Sequence, residues 1–388
     1  MVEISDIPVD DGVNGGASTK KPQEAKTSTS LESLPIDLLE QIVARVPRSD
    51  HPAVSVLSTT FRRLIASPGF RHMRSQLAIT EHVLYALVGF PPRLPRWYIL
   101  YRNRLRRVIT LPPMPYGAAV VTIGHEIYVI GGSNNERSYL PNVTLVDCRT
   151  HTYRPLPSMR VARYRAAAGV VDGKIYVIGG CRKRSERDWV EWFDPERQVW
   201  LARKENLFYA CKEFVTYDVV KEKIYGLGED HYECLNVYDP RECTLQPGLG
   251  ESELRGFLHA SSCVVDDMLC TIDVGCMVGH PIIVYDGEDP GSGVWKPVRG
   301  VYGLPPCLYW YAYESKMANV GGRKLVILVG SQSQLWNYYG DKYIWCVEIA
   351  LERSQEDGEI RGRVESVEVV FKTTNTTPTI ELCRAVCV

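Results

Sequence analysis

Three of the eight histidines, His231, His259 and His280, fall in loops between apolar segments, all assigned to one face. A loop histidine is well suited to hold a zinc or copper ion or to move a proton. The twelve cysteines are the other candidates for metal or redox work. Three histidines among eight are unremarkable and their blades need not bring them together, and the cysteines lack the spacing of metal ligands. No Cys-x-x-Cys pair occurs, and Cys383 and Cys387 have no His partner at zinc-ligand distance along the chain. Cys263 in SSCVVDD and Cys270 in MLCTID stand where small hydrophobes would, so buried reduced thiols are expected. Gly-x-Ser-x-Gly, a phosphate-binding glycine loop with Lys, and His-Glu-x-x-His are all missing. What remains is charge. CRKRSERD offers Arg182, Lys183, Arg184 and Arg187, and SMRVARYR offers Arg160, Arg163 and Arg165. Such runs are commonly solvated loops, but two of them on one surface would suit an acidic segment. Tyr164 and Trp189 beside them are candidate aromatic anchors, with core roles as the alternative.

The elements that would carry those loops are repeated. EIYVIGG (126–132) returns as KIYVIGG (174–180), with weaker copies from Val83, Lys223, Met268 and Lys324. Six copies at a period of about 40–50 residues indicate a repeat architecture. Ahead of the two clear copies lie apolar strands, AAVVTIG at Ala118 and AAAGVV at Ala166, and Asp172-Gly173 between strands is a hairpin signal. A third strand follows (TLVDC, VEWFDP), then a fourth with an aromatic, Tyr153 or Trp200, spaced alike from Asp147 and Asp194. Four antiparallel strands cannot bury both faces alone, whereas a ring of such units can, which is a β-propeller. Gly131-Gly132 and Gly179-Gly180 then supply positive φ or close approach at the crowded end of the second strand. The first copy starts at its second strand. TIELCRAVCV from Thr379 is the segment expected to supply the missing one and to close six blades.

The amino-terminal text differs. Residues 1–30 are acidic, then Gly-, Ser- and Thr-rich, and read as a disordered lead-in without the apolar run of a signal peptide. From Ser33 a helical stripe appears: Leu38, Leu39, Ile42, Val43 and Val46, with Pro35 and Asp37 at its start and Pro47 at its end. A second start at Asp50 and Pro52 leads through Leu57, Phe61, Leu64 and Ile65 until Pro68-Gly69 breaks the pattern. A module of about forty residues has more apolar surface than it can bury itself, so it is expected to dock on the propeller or on a partner.

These residues resemble known families. The doubled glycines with their spaced Asp and aromatic are those of kelch repeats. Leu34-Pro35-x-Asp37-Leu38-Leu39, Ile42, Val46-Pro47, Leu57-Ser58 and Phe61-Arg62 look like an F-box, with Phe61 where many have Trp. Together the chain from Ser33 onward resembles the plant F-box/kelch-repeat proteins. The resemblance implies an α+β multidomain chain: a small helical F-box at 31–78, then an all-β six-bladed kelch propeller at 79–388. It also implies a substrate-recognition subunit of a Skp–cullin–F-box ubiquitin ligase, itself not an enzyme. Leu34, Pro35, Leu38, Leu39, Ile42, Val46, Pro47, Leu57, Phe61 and Leu64 would bind the Skp-type adaptor, and through it the cullin and RING subunits.

Arg160, Arg163, Arg165, Arg182, Lys183, Arg184 and Arg187 are the candidate residues for a protein substrate. They are expected on the propeller face that bears the glycine-following loops, away from the adaptor. No cofactor is expected. With 45 Lys plus Arg against 46 Asp plus Glu there is no global field for nucleic acid. No apolar run reaches the ~20 residues of a membrane span, and cytosol or nucleus is the expected compartment. Two rival readings stay open. Some kelch-type propellers are copper oxidases, for which the three loop histidines would be ligands. A kelch scaffold working outside any ligase is the other.

Overall fold

The computed structural model describes residues 31–135, 138–182, 189–203, 212–228, 235–247, 261–273, 276, 279–286, 294–310, 315–331, 341–354, 359–374 and 376–388. Lys183, Arg184, Arg187, His231 and His259 lie outside the described residues. Two compact units form: one comprises the chain up to Val46 with Asp50–Leu77, the other Pro47–Ser49 with Ala78–Val388.

The first unit is helical. α1 (Ile36–Ala44) begins directly after Pro35, whose ring fixes the φ of −52° seen there, and carries Asp37 in its first turn. α2 (His51–Leu57) has Pro52 in its first turn. The sequence pattern suggested one helix from here to Pro68, but Ser58 turns extended (φ −158°, ψ 165°) and separates α2 from α3 (Thr59–Ala66). Its hydroxyl accepts from the Phe61 N–H at 3.2 Å, the serine cap that local competition for backbone donors favours. Pro68-Gly69 likewise opens α4 (Pro68–Gln76) rather than ending the helical region, with Ser67 capping the Phe70 N–H at 3.0 Å. Leu39, Val43, Ala44, Phe61, Leu64 and Phe70 make the core. Arg74 of α4 donates to the carbonyl of Ala44, the last residue of α1, at 2.8 Å and to that of Val46 just beyond it at 3.0 Å, satisfying acceptors left open at the helix end.

The second unit contains, among the described residues, six four-stranded antiparallel sheets and one short helix, α5 (Pro306–Trp310). β1 (His82–Phe90), β2 (Arg93–Tyr101) and β3 (Arg104–Arg107) belong to the first. The second holds β4 (Ala119–Ile123), β5 (Glu126–Ile130), β6 (Val143–Asp147) and β7 (Thr152–Leu156). The third holds β8 (Ala167–Val171), β9 (Lys174–Ile178), β10 (Val190–Asp194) and β11 (Val199–Arg203). Next come β12 (Phe214–Val220), β13 (Lys223–Gly228), β14 (Leu235–Asp239) and β15 (Thr244–Pro247). The fifth has β16 (Ser262–Val265), β17 (Met268–Ile272), β18 (Ile282–Asp286) and β19 (Val294–Pro297). The sixth has β20 (Lys316–Asn319), β21 (Lys324–Ser331), β22 (Lys342–Arg353) and β23 (Ile360–Thr373). β24 (Thr379–Cys387) returns to the first sheet and pairs with β1, Leu84 opposite Ala385 and Ala86 opposite Cys383. The first strands lie side by side, β4 by β8, then β12, β16, β20 and β24, and so line the axis of a six-bladed propeller.

Packing closes that ring. Six apolar clusters form, each shared by two neighbouring sheets, from Tyr85, Trp97, Ile127 and Val146 between the first and second to Leu84, Val326, Ile344 and Ile380 between the sixth and first. A sheet has two faces, and here each is covered by the next blade. Tight turns join the strands. Asp172-Gly173 adopts positive φ at both residues (49° and 71°), the geometry of a type I′ hairpin. Arg102-Asn103, Lys221-Glu222 and Asp266-Asp267 do the same without glycine.

Candidate functional site

The ten adaptor-binding candidates fall into three groups. Leu39, Phe61 and Leu64 are buried in the core of the helical unit. Leu38, Ile42 and Leu57 stand out, with 48%, 44% and 73% of their surface exposed, and Pro35 and Pro47 are exposed too. Leu34 and Val46 are half-buried. Leu31, Ile36 and Val56 add exposed apolar surface that the stripe analysis did not include. Leu38 and Ile42 are one turn apart on α1 and share a face. Isolated exposed apolar residues are ordinary, but six within 27 residues is a high concentration for a small unit.

On the propeller, Arg163 requires correction as a substrate-binding candidate. It is fully buried. Its Nη2 lies 2.9 Å from Glu191 Oε1, and Nη1 donates to the carbonyls of Gly179 (2.5 Å) and Trp189 (2.9 Å). The Glu191 carboxylate also accepts the N–H groups of Arg160 (2.7 Å) and Val161 (3.1 Å). This arginine thus ties the connection entering the third blade to that blade's own β9 and β10. Trp189 is buried as well, a core residue and not an anchor. The glycine pairs explain themselves at the same place. Gly131 and Gly180 have φ of 67° and 70°, and a Cβ would lie 2.6 Å from the Arg163 carbonyl oxygen or 2.8 Å from that of Tyr164. Gly132 and Gly179 are also at positive φ. Arg160 and Arg182 are exposed.

Arg165 and Tyr164 have a different place. They line a cavity of about 1380 Å³ at the mouth of the propeller axis. Its walls come from the loop after Gly132 (Ser133, Tyr139), the turn at Pro91-Pro92, and the connections into β4 (Tyr116), β8, β12 (Glu213) and β24. This is the face that bears the glycine-following loops. Tyr139 and Tyr164 pack with ring centres 5.3 Å apart, and the Arg165 guanidinium lies over Tyr164 at 5.4 Å. Tyr139 donates to Glu213 at 2.8 Å, and burial together with that carboxylate pushes its phenol up to about 12. Deeper, the Tyr217 hydroxyl reaches from β12 to β4, accepting from the Val120 N–H at 2.7 Å. Lys316 and Glu381 line the same space from β20 and β24. Burial pulls the Lys316 ammonium below its ordinary value; Glu381 opposes this, and Arg384 and Arg165 add to it. Sequence reasoning missed Lys316, Glu381, Tyr116, Tyr139, Glu213 and Tyr217, because only the closing of the ring brings them to one place.

Among the described residues no group of three His, Cys, Asp or Glu side chains could hold a metal ion. The ten described cysteines are free thiols, seven of them buried, and burial pushes Cys270 and Cys346 up to about 12. They are packing residues. No helix among the described residues is long and apolar enough to cross a membrane.

Comparison with known proteins agrees with both halves. Residues 31–73 match the F-box domain, and residues 97–371 match the family "FKB95, Kelch-repeats domain". Kelch repeat-containing protein At1g19470 of Arabidopsis thaliana is 42% identical, covering 99% of each chain. F-box/kelch-repeat protein At2g29830 and F-box/LRR-repeat/kelch-repeat protein At2g29770, from the same plant, are 42% and 40% identical over the whole of both chains. An F-box domain implies a Skp-type adaptor as partner, and a kelch propeller implies a protein substrate. With its capped helices, its exposed apolar surface and six closed blades, the chain belongs to the plant F-box/kelch-repeat family.

Proposed function

We propose that this chain is the substrate receptor of a Skp–cullin–F-box ubiquitin ligase. Its helical unit grips the Skp-type adaptor, which brings the cullin and RING subunits. Its propeller captures a target protein for ubiquitination and degradation, in the cytoplasm or nucleus. Such a receptor makes and breaks no covalent bond. It raises the local concentration of a target lysine near the charged conjugating enzyme, a tethering effect. Target contact is assigned to the face of the glycine-following loops, with Arg160, Arg165 and Arg182 as its described candidates and Lys183, Arg184 and Arg187 as candidates outside the described residues. The observation that carries this reading is the F-box match at 31–73 with Leu38, Ile42 and Leu57 exposed on it, in one chain with a kelch propeller. The test is adaptor capture by the wild type against a Leu34→Ala, Pro35→Ala double variant, followed by proximity labelling under proteasome inhibition. Adaptor held by the wild type and lost in the variant supports the reading; equal capture, or none by either, favours a scaffold acting outside a ligase.

A further inference from the structure

Over the whole chain charge is balanced, with 45 Lys plus Arg against 46 Asp plus Glu, but in the first blade it is not. Residues 82–125 hold six arginines, no lysine and no Asp or Glu. All six lie on the β2–β3 hairpin: Arg93 and Arg96 on β2, Arg102 in the turn, and Arg104, Arg106 and Arg107 on β3. Arg93, Arg104, Arg106 and Arg107 are exposed. Among the described residues, the side chains of Arg93, Arg96, Arg104, Arg106 and Arg107 meet no carboxylate and make no hydrogen bond. Clustered like charges without a counter-charge repel one another, and an anion placed among them would relieve that repulsion.

β3 is also the outer edge of its sheet. The Val108 N–H bonds to the Trp97 carbonyl at 2.9 Å, and bonded positions alternate along an antiparallel pair. Arg104 and Arg106 are therefore bonded to β2, while Leu105 and Arg107 turn their N–H and C=O groups outward, where no described residue bonds to them. Other outer strands guard this edge. β7, β15 and β19 contain Pro155, Pro247 and Pro297, and β23 is bonded at its start by Arg299. β3 has only its arginines, which keep out a second copy of the chain, because β3 against β3 sets like charges opposite each other. The same side chains attract an acidic strand. Arg104 and Arg106 share one face about 6.8 Å apart, the repeat of alternate residues in any strand laid beside them. We propose that β3 receives an extended acidic segment of a partner protein as a fifth, antiparallel strand, with carboxylates opposite Arg104 and Arg106. The planar guanidinium fork binds a carboxylate through two bonds, which a lysine does not. The open N–H and C=O groups select a peptide over a nucleic acid or a lipid surface, neither of which offers a strand to pair with them. The site lies on the outer rim of the propeller and does not depend on the ligase reading.

The full-length protein is titrated at about 0.1 M salt with a dodecapeptide of alternating Glu and Thr, a matching Lys and Thr peptide, an oligothymidylate of the same length and phosphatidylserine vesicles. The Glu–Thr peptide is expected to bind and the Lys–Thr peptide not to. Arg104→Glu with Arg106→Glu should weaken the Glu–Thr peptide tenfold or more. N-methylation separates strand pairing from charge alone. With Glu opposite Arg104 and Arg106, the Thr amides bond to Leu105 and Arg107. Methylating the Thr nitrogens should therefore weaken binding tenfold or more, and methylating the Glu nitrogens less than threefold. No binding of the Glu–Thr peptide, equal binding by the charge-reversed protein, or indifference to both methylations overturns the proposal. Tighter binding of the oligonucleotide or the vesicles marks a phosphate-binding surface and also overturns it. Arg104→Gln with Arg106→Gln, which removes the charge without reversing it, gives the same readout should the reversed protein not fold, and the methylated peptides need no variant at all.

Discussion

Arg163 shows how a single side chain can look like a ligand contact and serve as a joint. Within MRVARYR it has the same charge and neighbours as Arg160 and Arg165, and nothing local says that it turns inward. The partner that decides it, Glu191, lies 28 residues on and is likewise fully buried. Removing one member of such a pair leaves an uncompensated buried charge, so Arg163→Ala is expected to lower stability by about 3–5 kcal/mol. Replacing both, Arg163→Met with Glu191→Leu, should cost less than the single change; denaturant titration measures each. The doubled glycines were legible because they recur, and their surroundings grade them. At Gly173 an added Cβ meets nothing within 4 Å, so Gly173→Ala should cost only the left-handed backbone, about 1–2 kcal/mol. Gly180→Ala adds a collision with the Tyr164 carbonyl oxygen and with Ala166, and should cost clearly more in the same assay.

At the scale of elements, the sequence displayed strands better than it displayed turns. Asp172-Gly173 announced a hairpin, but Lys221-Glu222 and Asp266-Asp267 adopt the same positive φ under the pull of the strands they join. Helix limits were misleading for a related reason: Ser58 and Pro68-Gly69 start helices, and a periodic apolar face runs across both breaks. The spaced aspartate of the repeat has a clear job. Asp147 Oδ1 accepts the Arg149 N–H at 2.8 Å, Asp194 that of Glu196 at 3.0 Å and Asp239 that of Arg241 at 2.9 Å, each shaping the turn into the blade's last strand. Burial would raise the carboxyls of Asp147 and Asp239, but these N–H bonds and the nearby Arg149 and Lys223 hold both below the ordinary value. A carboxyl depressed by folding stabilises the folded state above its unfolded pKa. That contribution is lost as pH falls from about 4 through the lower folded value. Stability should therefore drop on acidification in this window, and Asp147→Ala with Asp239→Ala should flatten the drop, as read from denaturation midpoints between pH 5 and 2.5. β24 is the element on which closure depends. Deleting Thr379–Val388 removes the strand paired with β1 along its whole length, and soluble, cooperatively unfolding protein should be lost, as circular dichroism and gel filtration would show.

For the whole molecule, the class of fold was readable because a repeat states its architecture several times over, while the mouth of the axis was not. The mouth is assembled from Tyr116, Tyr139, Arg165, Lys316 and Glu381, which span 266 positions of sequence and share no motif. On the helical side a short motif sufficed to mark the F-box, matched at 31–73, and the structure divides its residues into core and surface. Leu38 and Ile42 project from α1 while Leu39 and Val43 hold it in place. Where such residues are the central anchors of an interface, losing one costs about 2 kcal/mol or more, and a glutamate there adds the burial of a charge. The most direct test of the account is the affinity of the full-length protein for a Skp-type adaptor, measured by calorimetry for wild type and for the Leu38→Glu, Ile42→Glu double variant. The account predicts a loss of about a thousandfold, with the thermal transition of the propeller unchanged. Equal affinity in the two proteins, with both folded, would contradict it.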